Sequence, residues 1–201
     1  MKALFIASCL VLLLFVSTFL LLFLCPIKST NEETLRYASE IGNIQRVISA
    51  LNRGANIDSV NYYCETSLMI AAYRGRVDVV RHLLNSGSDV NKKNVFGITA
   101  LMYAIEGGDY KIVSILLNSK ANPNAIDKNG LTALMRVARK QNFDNYCESV
   151  TKILLQFGAD PNIKDKNGNS CFEHAKNLIN NRIFEGIETQ TINNGVLRVL
   201  K

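Results

Sequence analysis

Two histidines, five cysteines and a scatter of acids are the side chains of this 201-residue chain that could support nucleophilic, acid–base or metal chemistry. His82 stands beside Leu83 and Leu84, and His174 lies far downstream. Neither has a Cys or carboxylate at the spacing a metal site or a general base would need, so both read as structural histidines. Beyond the N-terminal run, the thiols are Cys64, Cys147 and Cys171. They are odd in number and contain no CxxC, which leaves no zinc or redox motif. One pair could oxidise in an extracytoplasmic compartment. Cys147 falls on an inserted segment and is expected to be the exposed thiol. Gly107-Gly108 reads as an interhelical turn, not a phosphate cradle. These residues predict no catalytic constellation, no cofactor, no metal, no small-molecule substrate and no enzyme.

Charge narrows the partners. Lys and Arg number 23 against 17 Asp and Glu, a net +6. The bases (Arg74, Arg76, Arg81, Lys92, Lys93, Arg136, Arg139, Lys140) are interleaved with acids at Asp78, Asp89, Asp109 and Asp127. That pattern is a solvated face and not a nucleic-acid stripe. The excess leans only weakly toward anionic headgroups or an acidic partner. The chain also carries 22 Asn, which reads as coding bias more than function.

Two kinds of element must position these side chains. The first is Ala3 to Cys25, interrupted only by Ser8, Ser17, Thr18 and two Cys, with no charge. As a helix this run spans ~34 Å, enough to cross a ~30 Å hydrocarbon core. Pro26 ends it and Lys28 marks a polar flank. The apolar stretch is too long for a signal-peptide core, and its exit lacks an A-x-A pair. Ile6-Ala7-Ser8-Cys9 sits too near the start for a lipoprotein box. Residues 3–25 are therefore expected to anchor the chain as one uncleaved span, with the C-terminal domain extracytoplasmic. The alternative is a cleaved signal and a secreted protein acting on a partner elsewhere.

The second kind of element repeats. Leu35, Leu68, Leu101 and Leu134 are spaced by 33 residues, and Phe172 follows 38 later. Asp58, Asn91, Asn124 and Asn162 are spaced 33, 33 and 38. A fixed period of this length marks stacked supersecondary units. Within a unit, Asn129-Gly130-Leu131-Thr132-Ala133-Leu134 supplies a turn glycine and a capping threonine. Leu134 and Ala138 form the stripe of a short helix, and Ala38, Ala71, Ala104 and Ala138 allow close helix approach. A second helix such as Ile112–Leu117 ends at Gly54, Gly87 or Gly158, where a left-handed residue is wanted. Lys120 replaces that glycine once and is expected to cost stability.

These motifs closely resemble the ankyrin repeat. The carriers are Asn94 to Leu101, Asp127 to Leu134, Asp165 to Ser170, and Leu83-Leu84-Asn85-Ser86-Gly87, and the likeness spans about residues 31–175. The family's His is Met at Met69, Met102 and Met135, and Glu at Glu173; its Pro is Ser67, Ala100, Ala133 and Cys171. Met fills that space with flexible apolar volume. The fourth unit carries five extra residues, expected as a mobile loop around Asn142–Ser149.

The resemblance implies an all-α solenoid of stacked helix-turn-helix units with extended hairpin-like tips, preceded by one transmembrane helix. The expected boundaries are an anchor at 1–27, then units at 28–61, 62–94, 95–127 and 128–165. A degenerate fifth unit and cap fill 166–201, where Ile183, Phe184, Ile187, Val196, Leu197 and Leu200 could cover the open edge. It also implies binding of a protein partner, not nucleic acid, through tips and first helices. Carried over by position, the tip residues are Tyr62, Tyr63, Lys93 and Phe96, with Val95, Lys128, Asn129, Lys166 and Asn167 beside them. The first-helix residues are Tyr73, Arg74, Tyr103, Arg136, Arg139 and Lys140, with Ile70 and Glu106. Tyr and Arg are enriched at binding hot spots.

Overall fold

In the computed structural model, residues 30–140 and 145–176 are described. The chain divides after Thr30, and all the helices below lie in the second unit. The apolar run 3–25, residues 142–144 of the insertion and the cap residues from Ile183 to Leu200 lie outside the described residues. Among the described residues, no helix is long and apolar enough to cross a membrane.

Each first helix starts at a hydroxyl. Thr66, Thr99 and Thr132 hold extended backbone angles, and their side chains accept the amides of Met69, Met102 and Met135. This satisfies one of the donors a helix start leaves open. The last unit does the same with Ser170. Its Oγ accepts the Phe172 amide, while Glu173 reaches back to the Ser170 amide at 2.7 Å. Glu in the family's His position thus completes a capping box.

The resulting pairs are α1 (Asn31–Ile41) with α2 (Ile44–Asn52), α3 (Ser67–Tyr73) with α4 (Val77–Asn85), α5 (Ala100–Gly107) with α6 (Tyr110–Asn118), and α7 (Ala133–Ala138) with α8 (Asn145–Gln156). The helix α9 (Cys171–Lys176) opens a fifth unit. First helices stack α1-α3-α5-α7-α9, and second helices stack α2-α4-α6-α8. Among the described residues there is no strand, only one isolated bridge between Val60 and Thr66. The architecture is the expected all-α solenoid.

One stripe builds the core. Leu35, Leu68, Leu101 and Leu134 are all buried, with Phe172 closing the row. Met69, Met102 and Met135 are equally buried. The small position three residues past each leucine is Ala38, Ala71 and Ala104, all fully buried. Its fourth member is Val137, not Ala138 as the i, i+4 reading had it. Val137 and Ala138 are both fully buried.

Second helices end alike. At Gly54, Gly87, Lys120 and Gly158, φ lies between 68° and 90°. The next amide returns to the carbonyl five residues back, for example Ala55 to Ala50 and Ala121 to Leu116. This Schellman closure demands a left-handed residue. Lys120 meets the demand at φ 68°, with a Cβ that glycine would not carry. Cys64 stands in the same condition at a tip, at φ 58° where the other tips hold glycine.

The insertion is not the loop expected from the sequence. Asn145 to Ser149 form the first turns of α8, which has 12 residues where α6 has nine. The Tyr146 hydroxyl donates to the Ile105 carbonyl at 3.2 Å. Cys147 is 1% exposed and packs in the core. An aromatic anchor and a buried thiol on one turn have turned added length into helix, so Cys147 is not the exposed thiol. Cys64, Cys147 and Cys171 form no disulfide with one another.

Two substitutions test this register. Lys120→Gly is expected to stabilise by about 0.5–1 kcal/mol, since left-handed strain outweighs the added chain entropy. Leu101→Ala is expected to cost ~2–5 kcal/mol, against at most about 0.5 kcal/mol for Lys93→Ala. Urea unfolding followed by circular dichroism measures all three. Equal midpoints for the last two would contradict the assigned leucine row.

Candidate functional site

A recurring side chain opens each tip and organises its turn. Asn61, Asn94, Asp127 and Asp165 begin the four described tips. Each Oδ1 accepts two amides of its own turn: Tyr63 and Glu65, Phe96 and Ile98, Asn129 and Leu131, Asn167 and Asn169. Each turn also closes on two main-chain bonds, for example from Gly97 to the Asn94 carbonyl and from Asn94 to the Ile98 carbonyl, and the side-chain oxygen satisfies the two amides those bonds leave open.

In three units the other atom of that side chain reaches the first helix nine residues on. Asn94 Nδ2 donates to the Tyr103 hydroxyl at 3.0 Å, Asp127 Oδ2 accepts from Arg136 at 2.6 Å, and Asp165 Oδ2 meets His174 Nε2 at 2.9 Å. The sequence reading missed this carboxylate of His174. The signal was present as a constant offset of nine between tip and helix positions. His174 remains a structural histidine, now with a named partner.

Neighbouring tips are joined by main chain. Val95 donates to the Tyr63 carbonyl, Lys128 to Phe96, and Lys166 to Asn129. A second seam runs through the repeating Asp/Asn ruler. Asn91 donates to the Lys120 carbonyl and accepts the Asn122 amide; Asn124 does the same with Gly158 and Asp160. The Asp58 carboxylate has no N–H to donate, so it accepts from Ser88 Oγ and the Asp89 amide instead. Part of the asparagine excess is therefore structural.

On this scaffold the expected residues fall into three groups. Tyr62, Tyr63 and Phe96 form an aromatic row along adjacent tips, with ring centroids 5.4 and 6.4 Å apart. Tyr62 is 92% exposed and Tyr63 and Phe96 about half exposed. Tyr73 and Arg74 stand at the end of α3, with the guanidinium 5.7 Å from the Tyr73 ring centre and 2.6 Å from Glu40. They border a hollow of about 310 Å³ whose lining includes Glu65, Met69 and Tyr103.

Tyr103 and Arg136 are engaged internally. The Tyr103 hydroxyl also donates to Glu65, whose other oxygen accepts from Asn61 Nδ2. Burial first, and then the Glu65 carboxylate, push the phenol well above its ordinary value. The Arg136 side chain is only 13% exposed and bridges Asp127 to Glu106 across two units. Truncating either one removes a contact that holds the face together. Lys140 lies 5.3 Å over the Tyr146 ring, and Lys93 Nζ donates to the Ile126 carbonyl. Arg139 is exposed at the end of α7.

No group of three His, Cys, Asp or Glu positioned for a metal occurs among the described residues. The chemistry of the face is aromatic contact, hydrogen bonding and charge.

Residues 7–94 and 68–165 match the family model described as Ankyrin repeats (3 copies). Comparison with curated proteins gives no match.

The last tip predicts a pH dependence. Burial alone would raise the Asp165 carboxyl, but the Asn169 and Asn167 amides and His174 hold it below its ordinary 3.8. Ser170, through hydroxyl and amide, holds Glu173 below 4.5. Depressed carboxyls add stability that is complete above their unfolded values and lost as pH falls through the lower folded values. Asp165→Asn keeps the turn acceptor, as Asn61 and Asn94 do. Its deficit against the native chain should therefore be largest near pH 6 and shrink toward about pH 3. Thermal melts across that range check this; a deficit independent of pH would contradict it.

Proposed function

The chain belongs to the ankyrin-repeat family, and from that premise we propose that it is a protein-binding module displaying a rigid tip-and-helix face. The observation that carries the reading is the row Tyr62–Tyr63–Phe96. Large aromatic rings lie open to solvent on tips whose backbone is tied unit to unit. A pre-ordered aromatic surface loses little entropy on binding and offers large contact area. Tyr73 and Arg74 extend it onto the first helices. Ankyrin repeats imply a protein partner; its identity is a matter for capture experiments, because fold does not specify ligand.

We further propose that the module works at a membrane, held by residues 3–25. The support is composition alone, 23 residues without a charge, long enough as a helix to span a bilayer. The chain should then stay in the membrane pellet after alkaline carbonate washing. Release at a mass lower by about 2.5–3 kDa would mark a cleaved leader and a secreted module instead.

The binding reading is tested with a partner found by proximity labelling of the full chain. Joint replacement of Tyr62, Tyr63 and Phe96 by Ala should weaken binding by at least about thirtyfold, as hot-spot loss of ~2 kcal/mol implies. The rings are exposed, so the melting temperature should barely move. Titration calorimetry with unchanged affinity would refute the assignment of the face.

A further inference from the structure

Cations on this face fall into two sets. One set is engaged: Arg74 pairs with Glu40, Lys92 Nζ donates to the Asp58 carbonyl, Lys93 Nζ donates to Ile126, and Arg136 pairs with Glu106 and Asp127. Three others, on the third and fourth tips and at the end of α7, are not. Lys128, Arg139 and Lys166 are exposed, and among the described residues no hydrogen bond or ion pair reaches their charged groups.

Arg139 and Lys166 line a hollow of about 370 Å³ together with Asn129, Asn167, His174 and Asp165. The one carboxylate there is already saturated. Asp165 Oδ1 accepts two amides and Oδ2 meets His174. What the hollow offers outward is a guanidinium, an ammonium and two side-chain amides, a donor set without an acceptor charge. A guanidinium takes a carboxylate in two parallel hydrogen bonds.

Lys128 and Lys166 occupy equivalent positions on adjacent tips. First helices packed at ~8–10 Å set the same spacing between those tips, and an extended chain covers it in about three residues at ~3.3 Å each. We infer that the partner segment over the C-terminal half of the face is an extended acidic peptide. Its carboxylates, about three residues apart, bind at Lys128 and in the Arg139–Lys166 hollow. The inference rests on the partner-binding reading and adds the chemistry of the ligand.

The test uses the full-length chain in non-ionic detergent and a fluorescein-labelled Ser/Gly peptide with Glu at every third position. A second peptide carries Gln at those positions. Anisotropy should show the Glu peptide binding at least about tenfold tighter. Arg139→Glu with Lys166→Glu should remove that preference. The milder pair Arg139→Gln and Lys166→Gln should weaken it at least about fivefold with an unchanged melt. Arg81→Glu with Lys111→Glu makes the same charge change on second helices and should alter affinity less than about twofold. Equal binding of the two peptides overturns the inference, as does equal loss from both charge reversals. So does a response of phosphatidylserine vesicles, but not of the peptide, to the Arg139/Lys166 changes. If the Glu peptide fails while Tyr62, Tyr63 and Phe96 still govern capture of the cellular partner, only the acidic ligand falls and the binding module stands.

Discussion

A single side-chain oxygen at each tip satisfies the turn on which the proposed partner face rests. Oδ1 of Asn61, Asn94, Asp127 or Asp165 accepts two amides of a turn that has no strand to pair with. Without it, two donors per tip would be left to water, and the turn would rest on its main-chain bonds alone. The remaining atom of the same side chain then links tip to helix in three units, through Tyr103, Arg136 and His174. Main-chain bonds between tips turn four local solutions into one surface. The aromatic row and the free cations inherit their positions from that lattice.

Much of this was legible in the sequence. The leucine row and the Asp/Asn ruler carried the period, the stack order and the capping threonines, because the repeated unit solves one packing problem several times. Less visible was what the second atom of each tip Asn or Asp does. Its partner at the ninth residue changes from Tyr to Arg to His, so identity conceals a constant geometry. The insertion misled for a related reason. Length alone suggested a loop, whereas Tyr146 and Cys147 had the apolar bulk to extend α8.

The binding residues were harder still. Position put Tyr103 and Arg136 on first helices, where they lie, but position does not report what a side chain has already bonded. Arg136 bridges two units, whereas Arg139, three residues on, has no such partner among the described residues. The difference lies in whether a carboxylate of a neighbouring unit comes within reach, and that depends on stacking and not on spacing along the chain. Among the described residues the array consequently carries an aromatic row on its first two tips and the cations Lys128, Arg139 and Lys166 without an ion pair on its later ones, on a protein of net +6.

Preorganisation is the claim on which this account turns, and amide hydrogen exchange of the free protein measures it directly. The tip amides of Phe96, Ile98, Asn129, Leu131, Asn167 and Asn169 should be protected to a degree comparable with amides inside α5 and α6, because each is bonded in the unliganded chain. Exchange of those six amides at the rate of an unstructured chain, while the helices stay protected, would show that the tips are not held and would contradict it.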